Sequence, residues 1–411
     1  MTRGAKLRLV VVLGLTQMVW TLAMDLYLPS FLEIRDDFGT SEALVQATLT
    51  GAFLGMTGGQ LLTGPVSDAV GRKRPLLVVL MAHVLSSILC ALAPSIEVLL
   101  VGRVFQGMAS AASGIIILAV LRDSFAGPEL IRMLARLAMV NGTAILFAPS
   151  LGAMLLEVMS WRGIFWVLAG YGALTVVLIT LALREPERQT PGGRVLSVTL
   201  GNYRTLLGDR VYLATVAVAA LVWASMFTYL ASSAFLFQGL YGLSPTQYAL
   251  VFASHGGLMV LGAQFSARLA RRVSAARIAV GAGIGMCVSA VVLVVSAVLL
   301  PGTGFLGLLV PLWFFTTALG MFNPASQALA LKDHKPRSGT AASLLGAANA
   351  GLGALISPLA GLIGLGSMLP TVGIMLVCQV LALGVLLIAV APAAAADRRA
   401  ARGIQAPVSS R

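Results

Sequence analysis

The sequence predicts an all-α integral membrane protein, with twelve transmembrane helices arranged as two pseudo-twofold-related halves of six. Three observations carry this. The 411 residues are 58% hydrophobic and only 10% charged, whereas a soluble domain carries about a quarter charged residues. Apolar runs of about 20 residues, the length that crosses a bilayer, recur along the whole chain. Nearly every cation flanks such a run instead of interrupting it. The net charge of +13 therefore belongs to the membrane surface. No basic patch interleaved with aromatics is present, so no nucleic-acid partner is expected.

In chain order the predicted spans are 8–31, 43–65, 75–95, 98–121, 133–157, 162–183, 211–237, 246–268, 276–300, 304–331, 339–364 and 368–391. The charged start (Arg3, Lys6, Arg8) and the apolar run behind it resemble a signal peptide. No small-residue cleavage site follows and the run holds Asp25, so it reads as a retained first helix. An even number of spans puts both termini on one side. Assigning the termini and the even-to-odd loops to the cytoplasm collects 25 of the 28 cations there, which makes both termini cytoplasmic. Arg35 and Arg162 fall outside, and Arg103 falls within the membrane. Residues 1–184 form the first half, 185–210 a linker, 211–392 the second half and 393–411 a tail. The linker (Pro186, Pro191, Gly192, Gly193) lies either on anionic lipid or in solvent. Cys90, Cys287 and Cys378 sit inside apolar runs without metal or disulfide spacing. No cofactor is expected.

The halves repeat weakly. Leu121-Arg-Asp123 ends the fourth span and Leu331-Lys-Asp333 the tenth. Ala148-Pro-Ser-Leu-Gly152 in the fifth span echoes Ser357-Pro-Leu-Ala-Gly361 in the eleventh at nearly the same offset. Such parallel repeats place a transport site at their interface.

Of fifteen acidic residues, Asp25 alone lies well inside a span. A mid-membrane carboxylate costs several kcal/mol unless it is protonated, hydrated or paired. Asp25 is thus either a structural group bonded to a neighbouring helix or a proton carrier that loads and unloads as water access alternates. Arg103, the one cation at depth, lies as far below the outer surface as Asp25 and is expected to hold it ionised between protons. His83 and His255 lie mid-span with no second ligand at metal spacing, as relays or as structural groups. Candidate cavity residues are Tyr27, Trp223, Phe227, Tyr229 and Trp313, which can stack on a flat ligand, and the neutral amides Asn141, Asn323 and Asn349.

Between the second and third spans lies Gln60-Leu-Leu-Thr-Gly-Pro-Val-Ser-Asp-Ala-Val-Gly-Arg-Lys-Arg-Pro75. It reads as a polar turn: Pro65 resists helix continuation, Gly64 and Gly71 permit tight backbone, and Asp68 can cap a helix or pair with a cation. Its spacing, with Met24-Asp-Leu-Tyr-Leu-Pro29, Arg103-Val-Phe-Gln-Gly107 and Ala148-Pro-Ser-Leu-Gly152, resembles the twelve-helix drug:proton antiporters of the major facilitator superfamily. Within these the chain is similar to exporters of bicyclomycin, chloramphenicol and florfenicol. The resemblance implies a bacterial inner-membrane protein that works as a monomer, taking a small drug and protons. It implies that Asp25 couples to protons with support from Arg103. Gly64, Pro65, Asp68, Gly71, Arg72 and Asp123 would latch the cytoplasmic side, and Ala148, Pro149 and Gly152 would form the antiporter motif. Here Ala148 and Ala153 stand where the fuller pattern has glycines. The second-half copy of the loop, near Ala267–Arg277, is degraded, with Arg271 near the acid's place.

Proton-driven efflux of a neutral or zwitterionic antibiotic is the leading expectation. Export of a self-made metabolite or antibiotic, and uptake by facilitated diffusion or symport, share the fold. An intramembrane enzyme finds no support, since HExxH, the GxGD aspartyl pair and the P-loop are absent from the sequence. No charged ring or carbonyl filter marks a channel.

Overall fold

The computed structural model describes residues 3–125, 127–183, 195–299, 304–334 and 337–392, and these are helices and the turns that join them. In lipid a backbone N–H or C=O finds no water, so a spanning segment satisfies its own groups as a helix. The crossings are α1 Arg3–Asp25 with α2 Phe31–Phe38, α3 Glu42–Val70, α4 Lys73–Ala91, α5 Ile96–Ser124, α6 Gly127–Leu156 and α7 Trp161–Ala182. After the short α8 Val195–Gly208 come α9 Arg210–Ala234, α10 Pro245–Leu269, α11 Ala275–Leu299, α12 Gly304–Leu331, α13 Ser338–Ile356 with α14 Leu359–Ile363, and α15 Leu369–Val385. That makes twelve crossings, and the chain returns to the side on which it began. We call that side the termini end and the opposite side the far end.

Local chemistry marks the helix starts. Ser41 accepts the Leu44 N–H at α3. Ser244 and Gln247 form a capping box at α10 with Pro245 in its first turn. Asp209 accepts from the Val211 and Tyr212 N–H groups at α9. Each cap satisfies backbone donors that a helix leaves free.

Two expectations need correction. The first span is not one helix but breaks after Asp25. The polar turn at Gln60–Pro75 shrinks to Gly71 and Arg72, because α3 runs on through Pro65 to Val70. A proline inside a helix removes one backbone bond, and the helix bonds of its neighbours outweigh that single loss. The reversal is left to Gly71, whose φ of 101° a residue with a side chain rarely adopts.

Packing follows the predicted duplication. In the first half α3 lies on α5, α4 on α5 and α7, and α1 on α5, α6 and α7. In the second half α10 and α11 lie on α12, and α13 and α15 on α9. Two crossed pairs join the halves, α3 with α13 and α6 with α10. These are spans two with eleven and five with eight, as a pseudo-twofold axis demands.

A glycine contact repeats with that symmetry. A Cβ on Gly55 of α3 would collide with the Val104 carbonyl of α5, and one on Gly107 of α5 with the Ala52 carbonyl of α3. In the second half Gly262 of α10 meets the Thr317 carbonyl of α12, and Gly320 of α12 meets the Met259 carbonyl of α10. With lipid as apolar as the side chains, close backbone approach is what holds membrane helices together.

At the termini end Asp209 binds the second half to itself. Its Oδ2 lies 3.0 Å from His334 Nε2, whose ring meets Tyr212 edge-on. His334, the third histidine, went unplaced in the sequence reading because loop proximity leaves no periodic signal. Burial opposes ionisation of Asp209, but the Tyr212 and Val211 N–H groups and the His334 ring together hold its carboxyl below the usual carboxylate range.

Two outcomes follow from this packing. Gly107→Ala and Gly320→Ala are each expected to cost about 1–3 kcal/mol or more by overpacking, read as a lower thermal midpoint in detergent. Gly170→Ala, where nothing lies within 4 Å, should be neutral. Because folding lowers the Asp209 pKa, its contribution is complete above the unfolded value of about 3.9 and is lost as pH falls below it through the folded value. Acid loss of helical signal should therefore be shallower over that window in Asp209→Asn.

Candidate functional site

Pro29 determines where the first crossing breaks. It has no N–H to give the carbonyl four residues back, that of Asp25, and its ring crowds that carbonyl. The helix stops at Asp25, and a tight turn follows over Leu28–Ser30. There the Ser30 N–H and hydroxyl both donate to the Tyr27 carbonyl, at 3.0 and 2.6 Å.

Three neighbouring helices seat this break. Arg103 of α5 donates from Nη1 to the Ala23 carbonyl at 2.8 Å and to Gln106 Oε1. Its guanidinium lies 4.0 Å above the centre of the Tyr27 ring and 5.8 Å from that of Phe165 on α7. A desolvated contact of this kind is worth about 2 kcal/mol. From α6, Gly152 touches the Leu26 carbonyl, where a Cβ would not fit. Gln106 Nε2 passes the network on to Ser87 Oγ of α4 at 2.7 Å.

Arg103 is thus fully buried yet does not pair with Asp25, which corrects the expectation drawn from their equal depth. Among the described residues the Asp25 carboxylate has no hydrogen bond or ion pair, and it stands in the wall of a cavity of about 380 Å³ between the halves. Coulomb attraction across a few ångströms is strong. Here the guanidinium instead spends its donors on backbone and amide oxygens one turn away, behind the Tyr27 ring.

Trp223, Phe227, Tyr229, Asn323 and Asn349 line the same cavity. Trp313 does not. Its indole donates to Ser254 Oγ at 2.8 Å, tying α12 to α10. Tyr27 is the floor beneath Arg103 and also does not line the cavity. Asn141 lies outside the residues whose side chains are described, as do Gly64, Pro65 and Asp68. His83 sits away from the cavity, with Nδ1 3.0 Å from Ser110 Oγ, and joins α4 to α5. The sequence reading missed Trp20, Phe53, Met56, Phe252 and Met259 on the wall. For two of them the signal is one-helix-face spacing with the named His255: Phe252 lies three residues before it and Met259 four after.

Towards the far end the halves close over this cavity. Gln46 of α3 donates from Nε2 to the Ala231 carbonyl at 3.2 Å and Ser232 Oγ at 3.1 Å on α9, and Gly361 leaves room for its amide. Gln238 donates to the Pro29 carbonyl at 3.1 Å, Thr246 to Glu157 at 2.9 Å, and Phe31 meets Phe235 with ring centres 5.8 Å apart. At the termini end Arg72 bonds Asp123 at 2.8 Å and Ser67 Oγ at 2.9 Å, joining the α3–α4 turn to the end of α5. In α6, Ala148 and Ala153 are buried beside Pro149.

A family model described as the Major Facilitator Superfamily matches residues 13–358. The chain is 34% identical over 374 residues to an uncharacterized MFS-type transporter, YdgK, of Bacillus subtilis strain 168, covering 88% of this chain and 90% of that one. It is 27% identical over 379 residues to a bicyclomycin resistance protein homolog of Haemophilus influenzae, covering 91% and 94%. Among solved structures, a D-xylose–proton symporter superposes with a TM-score of 0.76 at 14% identity, over 93% of this chain and 98% of that one, a likeness of fold alone.

The seating of Arg103 separates two accounts by stability. Arg103→Met leaves the Ala23 carbonyl and the Gln106 amide oxygen unpartnered and is expected to cost about 2–4 kcal/mol. Asp25→Asn should leave the thermal midpoint within a degree or two of wild type, since about 1 kcal/mol or less is at stake at an unpaired group. Equal losses in the two variants would restore the ion pair.

Proposed function

The chain belongs to the major facilitator superfamily and is a multi-pass membrane transporter, and on that premise we propose that it is a proton-coupled efflux antiporter for neutral antibiotics of the phenicol or bicyclomycin type. The observation that carries the proposal is Asp25, an unpaired carboxylate at a helix break in the cavity wall. A carboxylate kept there without a counter-ion is costly, and a group that alternates between proton and drug accounts for the cost. The name of the Haemophilus influenzae relative, a bicyclomycin resistance protein homolog, supports export as the direction.

The cation distribution supports termini in the cytoplasm. On that orientation the far-end seal faces outward, and the cavity belongs to a state loaded from the cytoplasm. Drug enters against the aromatic wall beside ionised Asp25. The halves then rock about the α3–α13 and α6–α10 contacts, the Gln46 and Glu157 bonds part, and water from outside reaches the break. Protonation of Asp25 removes the charge that faced the ligand, drug leaves, and the reverse motion returns the proton to the cytoplasm. Throughout, Arg103 holds the Ala23 carbonyl, so the carboxyl does not swing away with its helix end. The Arg72–Asp123 pair, together with the motif residues Gly64, Pro65, Asp68 and Gly71, latches the cytoplasmic end when the cavity faces out. Ala148, Pro149 and Gly152 form the small-residue surface on which α6 meets α1. One carboxylate implies one proton per cycle, so neutral drugs move electrogenically.

The test is drug tolerance in an efflux-deficient bacterium expressing wild type or Asp25→Asn at matched levels. Wild type is expected to protect against chloramphenicol, florfenicol or bicyclomycin, and Asp25→Asn to fall to the vector-only level. Protection that survives the substitution would remove Asp25 from the mechanism. Absence of protection by wild type would shift the function to metabolite export or uptake.

A further inference from the structure

The second half supplies most of the cavity wall, yet among the lining residues it places no carboxylate, lysine or arginine there. Its one imidazole on that wall is His255 of α10. The residue is 2% exposed, and Nδ1 lies 2.8 Å from the Tyr229 hydroxyl of α9, with the two rings edge-on at 5.5 Å. The other nitrogen, Nε2, is buried with no hydrogen-bond partner. Asn349 Oδ1 on α13 is a second unpartnered buried atom on the same wall.

The Tyr229 contact selects the tautomer. If the phenol accepts from Nδ1–H, its own proton and the Nε2 lone pair both go unsatisfied. If the phenol donates to Nδ1, only Nε2–H is left over, so the second arrangement wastes less. A buried N–H without an acceptor costs about 1–3 kcal/mol, and a group kept at that cost on a cavity wall is one that a ligand completes. A site of this type also rejects analogues that lack the matching atom, because the donor then stays unpaired.

We propose that His255, oriented by Tyr229, is the hydrogen-bond donor that anchors the substrate to the second half, and that the ligand it selects is a neutral molecule bearing an acceptor oxygen such as an amide carbonyl or a nitro group. Asn349 offers the complementary acceptor. The assignment rests on the efflux reading of this cavity and divides its labour: Asp25 on the first half answers to the proton, His255 on the second to the drug.

Equilibrium binding to the purified full-length protein in lipid nanodiscs tests this with two labelled probes. Chloramphenicol is neutral and carries amide and nitro oxygens; tetraphenylphosphonium is a cation without an acceptor. His255→Phe is expected to weaken chloramphenicol about tenfold and leave tetraphenylphosphonium unchanged, which also shows that the variant is folded. His255→Gln, which keeps an N–H donor, should recover most of the chloramphenicol affinity, and Tyr229→Phe should fall between. Unchanged chloramphenicol binding in His255→Phe overturns the assignment alone, since Nε2 then takes no acceptor from the ligand. Parallel loss of both probes also overturns it, by making His255 a structural residue. Wild type that binds neither probe overturns the assignment and the efflux reading together.

Discussion

The structure depends on one interrupted helix. Pro29 denies the Asp25 carbonyl its donor, and the first crossing breaks there. The loose end is then immobilised from three sides: by the Arg103 guanidinium on the Ala23 carbonyl, by the Tyr27 ring beneath that guanidinium, and by Gly152 against the Leu26 carbonyl. A break in a spanning helix is tolerated only where neighbouring groups satisfy the freed backbone. The positive charge therefore serves the backbone, and the carboxylate of the last helical residue is left to the cavity. Had Arg103 reached Asp25, the two charges would have neutralised each other, and the cavity wall would carry no unpaired carboxylate.

Around that break the scaffold is symmetric and the chemistry is not. Gly55 with Gly107 and Gly262 with Gly320 lock equivalent helix pairs in the two halves by the same contact of backbone on backbone. Such pairs tie the helices of each half together by close backbone approach. The ionisable groups were not duplicated: the first half carries Asp25 and Arg103, and the second carries His255 bonded to Tyr229. The frame is symmetric and the lining of the cavity between the halves is not.

The inter-half contacts differ in kind from those within a half. Inside a half, carbonyls meet glycines and polar side chains close networks such as Arg103–Gln106–Ser87. Between halves, a few separable hydrogen bonds from Gln46, Gln238 and Thr246 close the far end. Each of these bonds is of a kind that water can replace, unlike the buried backbone contacts inside a half.

The sequence by itself determined the class, the twelve crossings, the duplication and the isolation of Asp25 among apolar neighbours. These follow from composition and from runs whose length the bilayer sets. Most predicted spans lie within a few residues of the observed helices, and α3 overran its predicted end because a polar, glycine-rich stretch can still be helical where its caps allow. Of the site, Trp223, Phe227, Tyr229, Asn323 and Asn349 were legible as aromatic or amide residues in apolar helices. Only the tertiary structure decided which of them share a wall. Trp313 had the same signature and turned instead to Ser254 on α10. The direction of Arg103 was equally out of reach, because depth along a helix follows from residue number, whereas facing depends on the angle at which helices distant in sequence pack. Tyr229 and His255 lie 26 residues apart on consecutive crossings, and nothing local to either predicts that one orients the other.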